Sequence, residues 1–176
     1  GRIAGTGVTG VVATAAFLNS AYINEAREVS LEVRFGDVTH TVTEPGLEFK
    51  PPFLTSRYAY SLARSTTQFG AETTLRTSDD VRLTNPFTIE YRIDDTANLE
   101  NLFFQLRGSG EDIRDVVQRL ARSTAVEVFE KLEVTDLAEP GVTERITDSI
   151  QIRLQEELSE GGWPVLIMNV LSDGFN

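Results

Sequence analysis

The 22 residues between Arg2 and Glu25 carry no charge. That stretch is the strongest single constraint on the chain, because few folds leave so long a run without a solvated ion. As a helix it would be roughly 33 Å long at 1.5 Å per residue, against a bilayer core about 30 Å thick. Thr6, Thr9, Thr14, Asn19 and Ser20 dilute its hydrophobicity. Ser and Thr hydroxyls return to helix carbonyls, however, and are tolerated in lipid. Within the stretch, Gly5, Gly7 and Gly10 match G-x-G-x-x-G. A dinucleotide-binding loop of that kind needs a buried strand before it and an acidic residue at the end of a second strand about 20 positions on. Only Gly1 to Ala4 precede Gly5, and no strand leads to Glu25 or Glu28. The glycines, with Thr14, are therefore read as small-residue positions where neighbouring membrane helices approach closely. Two other readings stay open: a signal peptide with Ala13-Thr14-Ala15 as its cleavage signal, and a helix buried in a soluble core.

Composition narrows the function classes. The 176 residues have a formal net charge of -11, which repels phosphate backbones and makes nucleic acid a poor partner. The same charge weakens attraction to anionic lipid, so membrane contact is expected to be apolar. There are no cysteines, which excludes disulfides, thiolate catalysis and cysteine-bound zinc. The one histidine, His40, would have to carry any triad alone, and its place in the strand alternation puts it on the solvent side.

After Glu28 the period becomes two. Val29, Leu31, Val33 and Phe35 alternate with Ser30, Glu32 and Arg34, which predicts a half-buried strand with a turn at Gly36-Asp37. A second strand follows over 38–43, and Glu44-Pro45-Gly46 is a turn. Residues 47–54 read as an apolar loop, since Pro51 and Pro52 cannot sit in a central strand. Residues 57–77 read as extended chain, and Ser78-Asp79-Asp80 closes a hairpin. The segment 81–93 reads as one strand with Val81, Leu83, Phe87, Ile89, Tyr91 and Ile93 on one face; Pro86 points to an edge position or a bulge. Three helical periods follow: one through Leu99, Leu102, Phe103 and Leu106, one over 111–132 and one over 142–160. Ser109 with Asp112 has the spacing of a capping box. Gly161-Gly162 ends the third helix, and 163–171 reads as a buried strand. The order predicts an α+β fold: an N-terminal membrane segment over 1–27, then one domain over 28–176 with an antiparallel strand group, three helices and a late strand.

Paired carboxylates recur at Asp79/Asp80, Asp94/Asp95, Glu111/Asp112 and Glu156/Glu157. In so acidic a chain they are read as turn and surface residues rather than catalytic pairs, because nothing else converges on any of them. No P-loop, G-x-S-x-G or EF-hand spacing is present. Neither an enzymatic activity nor a cofactor or metal is expected.

Arg34-Phe35-Gly36, Pro45-Gly46-Leu47 with Phe49 and Pro52, and the strand end Tyr91-Arg92-Ile93, in that order and spacing, resemble the SPFH or band 7 superfamily. This group includes the stomatins, prohibitins, flotillins and the HflK and HflC proteins. The resemblance runs over about residues 28 to 173. It implies a non-enzymatic scaffold at the cell membrane, anchored by a single pass and assembled with copies of itself or with a paralogue into a ring or cage. Such an assembly organises a membrane microdomain, and in some members it encloses or regulates a membrane-anchored AAA+ protease. By the same resemblance Leu47, Phe49, Pro51, Pro52, Phe53 and Leu54 form a loop close to the lipid, and Arg34, Tyr91 and Arg92 are candidate subunit contacts. It also leads to the expectation that these residues belong to a longer chain continuing into a coiled coil. One basic residue flanks each side of the uncharged stretch, so the side of the membrane is left open.

Overall fold

The computed structural model describes residues 20–51, 54–70 and 73–172. Gly5, Gly7, Gly10 and Thr14, read above as helix-packing positions, lie outside the described residues, as do Pro52 and Phe53. The chain divides into two compact units, Gly1–Ala63 and Arg64–Asn176.

The first unit is built from strands: β1 (Ala21–Asn24), β2 (Glu28–Arg34), β3 (Asp37–Val42), β4 (Gly46–Phe49) and β5 (Thr55–Ser61). They form a ribbon, β1-β4, and a three-stranded sheet in the order β3-β2-β5, all antiparallel. Two expectations are corrected here. Ala21–Asn24, the end of the uncharged stretch, is strand and not helix, because its backbone pairs with Gly46–Phe49. For the same reason residues 46–49 are a strand rather than loop, and Pro51 falls just beyond the ladder. The alternation in β2 is real, with Val29, Leu31 and Val33 buried, but Ser30 and Glu32 on its other face are buried as well. That face is covered by β1. Tyr22 Oη donates to Glu32 Oε1 (2.8 Å), Ser30 Oγ donates to Asn24 Oδ1 (2.7 Å), and Asn24 Nδ2 donates to the carbonyls of Glu28 and Glu44. Arg57, from β5, donates Nε–H to Ser30 Oγ (2.8 Å), pairs with Glu28, and sets its guanidinium 4.6 Å from the Tyr22 ring centroid. Buried polar groups are tolerated where each finds a partner, and this network supplies them.

The second unit layers helices on a sheet. Its strands are β6 (Ser65–Phe69), β7 (Thr74–Arg76), β8 (Arg82–Thr84), β9 (Phe87–Ile93) and β10 (Val165–Ser172); its helices are α1 (Leu99–Ser109), α2 (Ile113–Phe129) and α3 (Val142–Glu160). The sheet order is β10-β9-β6, with a separate ribbon β7-β8, again antiparallel. The single strand expected over 81–93 is therefore two. Asn85-Pro86 breaks it, and β9 is the central strand of its sheet rather than an edge. At the break the backbone is so close that a Cβ on Gly70, whose φ is +104°, would stand 2.1 Å from the Asn85 carbonyl oxygen. Phe87, Ile89 and Tyr91 alternate onto the helical layer with Val165, Ile167 and Val170. Phe87 stacks on Phe69 (5.1 Å between centroids) and meets Phe129 edge-on (6.3 Å). The capping box is shifted from the expected pair: Asp112 is the N-cap of α2, and its partner is Asp115. The turn at the end of α3 is the expected one, with Gly162 left-handed at φ +69°.

Candidate functional site

Register alone shows that several separate features of the first unit meet at one end. β1 and β2 run in opposite directions through the turn Glu25–Arg27, and the Tyr22–Glu32 hydrogen bond sets their alignment. Ser20 therefore lies at the Arg34 end of β2. Lys50 N–H donates to the Ser20 carbonyl (2.6 Å), which brings the segment after β4 to the same end. Thr55 stands opposite Arg34, so Leu54 is there too. Ser20, the β2–β3 hairpin tip, Lys50 and Leu54 thus share one edge.

Apolar side chains stand at that edge and along the ribbon that leads away from it. Phe35 is 83% exposed, and Ile23, Leu47 and Phe49 are 68%, 61% and 57% exposed on the outer face of the β1-β4 ribbon. In that ribbon Ile23 stands opposite Leu47 and Ala21 opposite Phe49, so the four side chains form one apolar face. Leu54 and Pro51 are exposed as well. Phe49, Pro51 and Leu54 of the sequence-derived loop lie at this end, whereas Leu47 faces outward further along the ribbon, beside Ile23 and toward its Asn24–Gly46 end.

Phe35 went unrecognised in the sequence as part of this end. Arg34 pairs with Asp37, so Phe35-Gly36 is a two-residue hairpin loop, with φ of +53° and +98°. Two left-handed residues in sequence are the geometry that favours Asn-Gly. An aromatic residue there is strained by about 1–2 kcal/mol and gains no burial in return. Its presence in the motif Phe-Gly, one residue earlier than the Gly36-Asp37 turn read from composition, was the available signal. Ile23 was hidden inside the uncharged stretch.

The charges at this edge are balanced. The Arg34 guanidinium lies 5.4 Å from the Phe35 ring centroid, Lys50 Nζ donates to the Thr55 carbonyl (3.0 Å), and Asp37 and Glu48 are the neighbouring anions. The whole first unit, with five basic and six acidic residues, carries -1; the second, with 11 and 21, carries -10. A surface that is apolar and near neutral meets lipid or protein through area rather than charge. Burial, then the hydrogen bond to Glu32, raises the pKa of Tyr22 above the ordinary tyrosine value, so the hydroxyl behind this edge stays a proton donor.

The remaining sequence candidates separate. Arg34 belongs to the apolar edge. Tyr91 is buried in the core of the second unit and is withdrawn as a subunit contact, since a contact residue has to reach a second subunit. Arg92 faces away from the helices and pairs with Asp95 (3.6 Å). The carboxylate pairs hold turns and helices. Asp79 accepts from Thr77 Oγ1 and from the Val134 backbone N–H, Asp94 from Thr96, Glu111 from Arg119, and Glu157 from Thr124. Among the described residues no group of acidic or histidine side chains has the geometry of a metal site, and no helix is long and apolar enough to cross a membrane.

Comparison with known proteins gives one finding. The profile of the family described as SPFH domain / Band 7 family matches residues 22–171. The matched region starts in β1, whose strand character was not legible in the sequence, and ends in β10. No curated protein matches the chain.

Proposed function

This chain belongs to the SPFH domain / Band 7 family, and on that premise we propose that it is a membrane-associated scaffold that places the apolar edge of its first unit in the lipid interface. Members of the family are generally non-enzymatic scaffolds. The observation that carries the proposal is Phe35: a large aromatic residue, 83% exposed, held in a left-handed hairpin position that asparagine would occupy with less strain. It stands beside Leu54 and the point where the uncharged stretch enters the fold. Burying one such side chain in an apolar phase contributes about 1.5–3 kcal/mol. Repetition of the edge around an assembly multiplies the effect.

The anchor is the uncharged stretch up to Ser20. Because Ala21–Asn24 are committed to the ribbon, 18 uncharged residues remain, Ile3 to Ser20, near the low end of what a spanning helix uses. Subunits associate with further copies of this chain or with a paralogue, closing into a ring or cage around a lipid patch. A membrane-anchored AAA+ protease is the client class that the family resemblance brings in.

Flotation of the full-length protein with phosphatidylcholine vesicles tests the reading. Co-flotation is expected, insensitive to added salt, with Phe35→Asn lowering the partition coefficient about tenfold or more. In detergent the particle is expected to be many subunits in size. Protein that stays in the soluble fraction and sediments as a single subunit would overturn the proposal.

A further inference from the structure

We infer that Gln155 is a stand-in strand: its carboxamide closes the outer edge of β10 and so keeps the sheets of neighbouring copies from joining edge to edge. The inference goes beyond the membrane reading and does not depend on it.

β10 is the segment of the second unit best suited to pairing with another chain. It reads VLIMNVLS over Val165–Ser172: eight residues, six of them apolar, with no charge, proline or glycine. On an open edge, that composition favours strand addition between chains. Among the described residues β10 is an outer strand of its sheet, paired with β9 alone. Met168 and Leu171 are 40% and 46% exposed, so burial does not shield it.

The hydrogen bonds along β10 show which backbone groups face outward. The Asp94 N–H donates to the Pro164 carbonyl (2.9 Å), so residue 164, and with it 166, faces β9. Val165 and Ile167 therefore face the open side. There Gln155, from α3, takes the place of a neighbour. Its Nε2 donates to the Val165 carbonyl (3.2 Å), and its Oε1 accepts from the Ile167 N–H (2.8 Å). These are the two bonds that one residue of an added strand would make. Ser159 Oγ, one turn along the helix, donates to the Gln155 carbonyl (2.7 Å) and accepts from Nε2 (3.3 Å), which orients the carboxamide. Beyond Ile167 the register shifts at Met168, and a bulge there bends the edge away from a partner. Only residues 169–172 remain past it, a short edge that holds a partner poorly. The opposite edge of the same sheet is covered in the same way: Gln118 of α2 donates from Nε2 to the Gln68 carbonyl and to Thr67 Oγ1 (2.8 Å each).

The full-length protein in detergent tests this through thioflavin T fluorescence, particle size relative to the parent chain, and amide exchange at Ile167. Gln155→Leu removes both bonds. It is expected to speed exchange at Ile167 about tenfold or more and to give larger, thioflavin-positive particles. Gln155→Asn, one methylene too short to bridge the same two groups, is expected to do so more slowly, and is the variant to read if Gln155→Leu does not fold. Met168→Lys added to Gln155→Leu puts a charge on the edge. It is expected to return the particles to their original size while Ile167 still exchanges fast. Ile150→Val, on the buried face of the same helix, controls for loss of stability alone, at a temperature where both variants are equally unfolded. Fast exchange at Ile167 without larger particles would overturn the inference, and so would unchanged exchange. Equal association by Ile150→Val, or no rescue by Met168→Lys, would overturn it too, since unfolding and not the open edge would then drive association. None of these results bears on vesicle flotation, so the membrane reading stands or falls separately.

Discussion

The first unit turns Ile23, Phe35, Leu47 and Phe49 outward and keeps Glu32, Ser30 and Asn24 inside; the second packs Phe69, Phe87 and Phe129 against one another and leaves its many carboxylates in water. Both use antiparallel strands of similar length. The difference is where apolar area goes. In the second unit most of it is buried in one core, with Ile152, Phe104 and Leu171 scattered outside it, so folding follows the ordinary hydrophobic pattern. In the first, a polar network joins the β1-β4 ribbon to β2, and a share of the apolar area is left outward, at the Phe35 hairpin tip and on the outer face of the ribbon. Such a distribution is what an interaction surface has, and it is the basis of the lipid contact proposed above.

The contrast can be broken most strongly in the second unit. Phe87→Ala removes the ring shared by Phe69 and Phe129 and should lower stability by about 3–5 kcal/mol, read from denaturant unfolding. A loss below about 1 kcal/mol would mean the aromatic stack is not the centre of that core. In the first unit the corresponding change is Arg57→Ala. It leaves Glu28 and Ser30 without their donor, and a loss of about 1.5–3 kcal/mol is expected. If Arg57→Ala were neutral, the polar network would be incidental to how the unit holds together.

Alkali should reach the network through Tyr22. Its folded pKa lies above the ordinary value of 10.0, as do those of Tyr60 and Tyr91, in each case chiefly through burial. A raised folded value means that the associated stability is complete below pH 10.0 and is lost as pH rises through the folded values. Circular dichroism during an alkaline titration should therefore show unfolding beginning above pH 10.0. Tyr22→Phe should cost about 1 kcal/mol near neutrality, from the hydrogen bond lost to Glu32, and should make the first unit less sensitive to alkali. Unfolding that starts well below pH 10.0 would contradict the assignment.

The smallest change sharpens the contrast most. Phe35→Asn should raise stability by up to about 1 kcal/mol, because asparagine tolerates the left-handed hairpin position. Together with the weaker vesicle binding expected of the same variant, this is a trade of stability against contact. A variant that is both less stable and equally well bound would show that Phe35 serves the fold rather than the interface.

Much of the fold was legible in residue order. The helix over 142–160 was expected at the bounds found, and Gly161-Gly162 stops it as expected. The helix over 111–132 proved shorter at both ends, because Asp112 rather than Ser109 caps it and the chain turns after Phe129. The candidate site was legible in part. Leu47, Phe49 and Leu54 stood out by composition, whereas Phe35 became meaningful only once its φ and its exposure were known.

The division has a physical reason. A helix closes its own hydrogen bonds four residues apart, so period, caps and glycine stops settle it within a short window. A strand exists only if distant backbone answers it. Ala21–Asn24 became strand because Gly46–Phe49 pairs with it, β9 became central because β10 arrives from about 80 residues later in the chain, and Ser30 and Glu32 became interior because β1 folds over them. Local order set the helices, the α+β class and the family pattern. Which strands pair, which faces are covered and which apolar residues are left outward were decided by contacts that no local window contains.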